Sequence, residues 1–191
     1  MIKTTKKIKR VAFFGDAMVE EKSHIFQDVL VVSKLAAQAG YIIVNGGGPG
    51  VMLAASRGAK SVNGKVEIVI LNPDKQPKNY EGTNQENLEM ADRVYTTEDY
   101  PERLNTLIKL ADAFVIFDGG TGTLSEVGMT WELAKFNNGH HKPLVFFGEQ
   151  WGKIVTDIEK GMKFETIEKG VVSIAKTPQE VIEILTMVER A

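Results

Sequence analysis

The sequence predicts an α/β fold in which a mostly parallel sheet of about seven strands carries helices on both faces. Three observations predict it. Runs of four or five apolar residues alternate with segments of helical spacing, and continuous apolar strands of that kind belong to parallel sheets covered on both sides. Two glycine-rich turns, Asn45-Gly46-Gly47-Gly48-Pro49-Gly50 and Asp118-Gly119-Gly120-Thr121-Gly122-Thr123, each follow such a strand and open a helix. Over its 191 residues the chain has no low-complexity segment or internal linker, which fits a single domain, residues 1–191, with a sizeable core. The expected architecture is a Rossmann-like three-layer sandwich.

The elements follow in order. Residues 1–10 carry five of the 23 basic residues and read as a flexible, solvated basic tail. Val11 to Phe14 is a short buried strand ending at Gly15. A helix from about Ser23 to Ala39 places Ile25, Val29, Val32, Leu35 and Ala36 on one face, with Ser23 as N-cap and Gly40 as terminator. Tyr41 to Val44 is the second strand. It runs into the first glycine turn and a helix ending near Asn63-Gly64, with Pro49 tolerated at its start. Glu67 to Leu71 is the third strand, and the polar stretch behind it, about residues 72–87, reads as a long loop of the kind that is often functional.

Arg93 to Thr97 is a short strand. Tyr100 to Leu110 is a helix with Leu104, Leu107, Ile108 and Ala111 on its apolar face and Arg103 off that stripe. Ala113 to Phe117 leads into the second glycine turn. The helix after it spans Thr123 to Asn137, with Leu124, Val127, Trp131 and Ala134 inward. A strand at Pro143–Phe147, a helix at Trp151–Met162, a strand at Val171–Ala175 and a helix from Pro178 to Glu189 complete the chain.

Composition narrows the function classes. A formal net charge of −2 gives no electrostatic reason to bind a nucleic-acid polymer. The absence of cysteine excludes disulfides, thiolate catalysis and cysteine metal sites. No run approaches the ~18 apolar residues of a membrane span, and the apolar run VAFF behind the basic start is too short for a signal peptide. A soluble, cytoplasmic protein without membrane association is expected.

Both glycine turns sit at strand carboxyl ends, where open α/β sheets bind ligands. A glycine turn opening a helix presents backbone N–H groups and the positive end of the helix dipole, which suits a phosphate. Neither turn is a known nucleotide fingerprint. From Gly120 the spacing gives Gly120, Gly122 and then Ser125, so the third dinucleotide glycine is missing. Gly58 and Gly64-Lys65 are separated by five residues where a P-loop has four, and Val66 replaces its serine or threonine. Glu126 has two readings on local sequence. Thr123-Leu124-Ser125-Glu126 fits a capping box, and it fits equally a carboxylate aimed into a ligand site. Arg103 taken alone reads as a surface arginine. Asp118 either caps the turn or touches a ligand. His140-His141 reads as a solvated pair, with no carboxylate at ligand spacing.

DGGTGTLSE resembles the PGGxGTxxE signature of the LOG family, the cytokinin-activating phosphoribohydrolases formerly labelled possible lysine decarboxylases. NGGGPGVMLAASRGA resembles the family's GGGPGIMEAANRGA turn, and ERLNTLIKLADAFVIF the segment that carries its arginine, so the likeness covers roughly residues 11 to 150. The resemblance implies a homodimer or higher homo-oligomer with a nucleoside 5′-monophosphate as substrate. It implies a hydrolase that cleaves the N-glycosidic bond to free base and ribose 5-phosphate, with no cofactor and no metal. The alternative is a binding protein of the molybdenum cofactor carrier kind. Nothing in the chain presents a pyridoxal-phosphate lysine with a partner for the ring nitrogen.

By position, Glu126 matches the motif glutamate and Arg103 the family arginine, which implies a catalytic pair. Gly46, Gly47, Gly48, Gly119, Gly120, Thr121, Gly122 and Thr123 are the implied nucleotide and phosphate binders, with Asp118 as a further ligand contact. Glycosidic cleavage passes through an oxocarbenium-like state that a carboxylate can stabilise. Glu126, near a helix N-terminus, is expected to stay ionised for that task. Four positions depart from the family pattern. Asp118 replaces the signature proline, Thr121 stands where an aromatic is common, Leu104 replaces a lysine and Leu53 replaces a glutamate.

Overall fold

The computed structural model describes residues 8–78, 80–135 and 142–190. Seven strands form one sheet: β1 (Arg10–Phe14), β2 (Ile42–Asn45), β3 (Val66–Leu71), β4 (Arg93–Thr97), β5 (Ala113–Ile116), β6 (Leu144–Phe147) and β7 (Val172–Ala175). Their spatial order is β4-β3-β2-β1-β5-β6-β7, and every pairing is parallel. The order reverses direction at β1, which lies between β2 and β5, so the carboxyl ends of these three strands frame the crevice where doubly wound sheets take ligands.

The alternating faces of β1 explain the two cores. Val11 and Phe13 join one apolar cluster with Val29 and Val32 of α1 (His24–Gln38), Ala54 and Ala55 of α2 (Val51–Lys60), and Val181 and Leu185 of α8 (Pro178–Arg190). Ala12 and Phe14 join the other. They pack with Leu104 and Leu107 of α4 (Tyr100–Leu110), Val127 and Trp131 of α5 (Thr121–Lys135), and Trp151 of α6 (Gln150–Gly161). A strand buried on both sides needs continuous apolar sequence, and VAFF supplies it.

Several expectations change. Residues 8–10 are not tail: Ile8 is buried, and Arg10 begins β1 and pairs with buried Glu67 at 2.9 Å. Residues 1–7, Asn137 and the His140-His141 pair lie outside the described residues. The stretch after β3 is not one long loop. It holds a 3-10 turn at Pro73–Lys75 and a helix, α3 (Gln85–Met90), capped by the Asn84 side chain accepting from the Asn87 N–H. A second short helix, α7 (Thr166–Lys169), precedes β7. Leu53 and Leu104, two of the four departures, are core residues on opposite faces of the sheet. Trp131 is core as well, with its indole N–H donating to the Glu168 carbonyl at 2.8 Å, whereas Leu124, expected on the same inward face, is 59% exposed because it lies in the first turn of α5 at the open end of the sheet. Among the described residues no helix is long and apolar enough to cross a membrane.

Candidate active site

A cavity of about 540 Å³ opens at the carboxyl ends of β1, β2 and β5. Residues after all three strands line it: Gly15 to Met18, Gly46, and Gly120 to Thr123. Arg103 and Tyr100 from α4, Glu126 from α5 and Glu81 from the β3–α3 connection complete the wall. One residue ties the turns together. The Asp16 N–H donates to the Asp118 carbonyl at 2.8 Å, and the Asp16 carbonyl accepts from the Val51 N–H at 3.0 Å.

The first glycine turn spends two of its N–H groups and its carbonyls inside the protein. The Gly47 N–H donates to the Asn45 side chain at 2.8 Å, and the Gly48 N–H points at the Met52 sulfur at 3.4 Å. Asn87 on α3 donates to the Gly48 carbonyl at 2.8 Å and to the Asn45 side-chain oxygen at 3.2 Å. Ser56 on α2 accepts from Asn45 at 2.8 Å and donates to Asn87 at 2.5 Å, closing a fully buried polar network. A network in which every member has a partner fixes geometry. Of Gly46, Gly47 and Gly48, only Gly46 reaches the cavity wall.

Arg103 is 3% exposed, so it is not the surface arginine that its position off the apolar stripe suggests. Its Nε donates to the Val69 carbonyl and one terminal nitrogen to the Gly46 carbonyl, both at 3.1 Å. The rings of Tyr80 and Tyr100 stand 5.7 and 6.0 Å from the guanidinium carbon, within reach of cation–π attraction. A Cβ on residue 46 would lie 1.9 Å from the Arg103 terminal nitrogen, so the turn needs glycine there to admit the side chain.

The second turn is different. Among the described residues, the N–H groups of Gly119, Gly120, Thr121, Gly122 and Thr123 make no hydrogen bond within the chain. A helix start leaves such donors free, and the dipole adds to their pull on an anion. The helix begins at Thr121, with the Leu124 N–H bonded to the Gly120 carbonyl at 3.0 Å. The capping-box reading of Thr123 and Glu126 therefore fails, because Thr123 is already inside the first turn. Its hydroxyl lies under Gly119, 2.1 Å from where a Cβ on that residue would sit, so glycine is required there too. Asp118 does not line the cavity. Gln150 at the start of α6 donates to its carboxylate at 2.5 Å, which holds the charge away from the free N–H groups.

Glu126 lies in the second turn of α5, 9% exposed, with its carboxyl on the cavity. No ion pair within 4.0 Å joins it to Arg103. Burial pushes the Glu126 carboxyl up to about 8; the Arg103 charge pulls it down, and Glu81 pushes it further up. The expectation of an ionised Glu126 is thus overturned at neutral pH. The helix dipole acts over the first turn, and desolvation dominates in the second.

Four polar side chains on the wall escape the sequence reading: Asp16, Glu81, Tyr100 and Ser125. Asp16 carried a signal, since Gly15-Asp16 ends β1 as the glycine turns end β2 and β5. Glu81 carried none, because no periodicity places a residue of an irregular connection. The Tyr100 hydroxyl meets the Ser125 hydroxyl at 3.0 Å, and Ser125 donates to the Gly122 carbonyl at 2.7 Å, bracing α4 against the start of α5.

Three proteins bear on this arrangement. An uncharacterised protein of Archaeoglobus fulgidus is 27% identical over 142 residues, which cover 74% of this chain and 86% of that one. The crystal structure of TM1055 matches with a TM-score of 0.71 and 22% identity, over 94% of this chain and 99% of that one. The molybdenum cofactor carrier protein MCP of Chlamydomonas reinhardtii matches with a TM-score of 0.70 and 20% identity, over 96% and 99%. At these identities the structural matches establish a shared fold and no more. The SLOG cluster4 family model matches residues 9–182, which takes in all seven strands and both glycine turns, and the chain belongs to that family.

Proposed function

We propose that the protein is a hydrolase that cleaves the N-glycosidic bond of a nucleoside 5′-monophosphate, releasing free base and ribose 5-phosphate. The observation that carries this reading is the convergence on one cavity of the unpartnered N–H groups of the second turn with the buried Glu126 carboxyl beside Arg103. The 5′-phosphate lies against Gly119 to Thr123, with the Thr121 and Thr123 hydroxyls assisting. That places the ribose toward Glu126. With its carboxyl neutral near pH 7, Glu126 is suited to give a proton to the departing base. Arg103, committed to two backbone carbonyls, acts by its charge, holding Glu126 within reach of ionisation. Gly46, Gly47 and Gly48 serve the site by seating Arg103 rather than by donating to phosphate.

A second reading has its own support. A guanidinium already bonded to backbone, with no ion pair to the carboxylate, also suits a protein that binds a nucleotide or phosphate-bearing cofactor without cleaving it. The MCP match agrees with that role. The site belongs to a single cytoplasmic domain that pairs with a second copy, for which Met129 and Leu133, both exposed and four residues apart on α5, offer an apolar face. Incubation with a panel of nucleoside monophosphates, read by chromatography for free base, separates the two. Base release that disappears in Glu126→Gln supports the hydrolase. A tightly co-purifying ligand without turnover supports the carrier.

A further inference from the structure

Hydrolysis at a sugar carbon needs two proton transfers, one to the leaving base and one from the attacking water. The cavity wall offers few groups able to make them. Asp16 accepts from the Met18 N–H at 3.0 Å, which fixes its carboxylate in its own turn. Arg103 offers only N–H donors, and its Nε and one terminal nitrogen are bound to carbonyls. The Tyr100 hydroxyl is engaged with Ser125. Among the carboxyls on the wall, Glu126 and Glu81 are the two whose side chains make no hydrogen bond among the described residues.

Their surroundings differ as an acid and a base require. Glu126 is buried on α5, with Arg103 and Tyr100 of α4, Tyr80 and Glu81 of the β3–α3 connection, and Asp16 after β1 around it. Glu81 reaches the same cavity from an exposed position and makes no ion pair or hydrogen bond among the described residues. Two carboxyls whose environments set them apart divide the roles of acid and base.

We propose that Glu81 is the second carboxylate of the site and the general base that activates water. This rests on the hydrolase reading above. In the step, the bond between C1′ and the base nitrogen breaks, and its electron pair goes to the base, which takes the Glu126 proton. The water oxygen bonds to C1′, and its proton passes to the Glu81 carboxylate. One proton is given and one received, and exchange with solvent restores both groups.

The test compares the parent protein with Glu81→Gln and Glu81→Ala on a nucleotide that the parent cleaves. Glu81→Gln lowers kcat by about 100-fold or more while KM moves less than about threefold. Added formate restores about tenfold of the activity of Glu81→Ala, since a small carboxylate can enter the vacated solvent-facing position. A merely structural role gives no such rescue. A kcat for Glu81→Gln within about twofold of the parent, or a loss in Glu81→Ala that formate leaves unmoved, overturns the assignment of Glu81. If the parent releases base from no nucleotide, the hydrolase reading itself falls, and Glu81 with it.

Discussion

The two glycine turns look alike as sequence and behave differently as structure. In the first, Gly47 and Gly48 spend their N–H groups on Asn45 and Met52, and the carbonyls of Gly46, Gly47 and Gly48 accept from Arg103, the Asn84 N–H and Asn87. In the second, five consecutive N–H groups have no partner in the chain among the described residues. The first turn is a scaffold that seats an arginine. The second keeps its donors free and is, on the function proposed above, the half that receives a ligand. A glycine cluster at a strand end therefore marks close approach, and what approaches is decided by which polar side chains lie nearby.

The sharpest way to break this contrast is to crowd the second turn. In Gly119→Ala the new Cβ meets the Thr123 hydroxyl, and the turn must open. Losing two charge-assisted hydrogen bonds weakens nucleotide binding about 100-fold, measured by calorimetry. An unchanged Kd would remove the phosphate from this turn.

Glu126 tests whether the receiving half opposes folding. Its carboxyl is raised to about 8 in the fold, so below its ordinary range both folded and unfolded chains hold the proton and pH has no leverage. As pH rises toward 8 the unfolded chain releases the proton while the fold retains it, and stability falls. Glu126→Gln removes this dependence. The variant should match the parent near pH 4 and exceed its Tm by about 5 °C or more at pH 8. Parallel melting curves for the two proteins across that range would refute the buried, neutral carboxyl.

Asn87→Ala should act in the opposite sense. It deletes two buried donor bonds, destabilises by about 2 kcal/mol and lowers Tm by roughly 4–8 °C, while nucleotide Kd moves less than about threefold. A collapse in affinity with little change in Tm would make the first turn a ligand site after all. The smallest effect belongs to Gln150→Ala. It frees the Asp118 carboxylate beside the second turn and should weaken phosphate binding by about twofold, more at low ionic strength.

The parallel sheet was legible because its central strands are continuous apolar runs and the longer helices keep their period. Ser23 as the N-cap of α1 was equally plain, since its hydroxyl accepts from the Phe26 N–H. The short helices α3 and α7 were not, because four to six residues are too few to show a period. At the site, the motif brought Arg103 and Glu126 to one cavity, but local spacing misplaced the start of α5 and with it the charge of Glu126. Burial depends on what packs from elsewhere in the chain. The same reason hid Glu81, and it hid Asn87, whose partners lie about 40 residues earlier.

The Asp16 backbone has a bearing on how such proteins diversify. Its N–H holds the end of β5 and its carbonyl holds the start of α2, so one residue sets the separation of the two halves of the cavity. Beyond it, Met18 is 79% exposed and the chain runs over the surface until α1 begins at His24. Insertions in that short span can reshape the rim and the choice of ligand without disturbing the spacing beneath, leaving one segment open to innovation while its neighbour stays fixed.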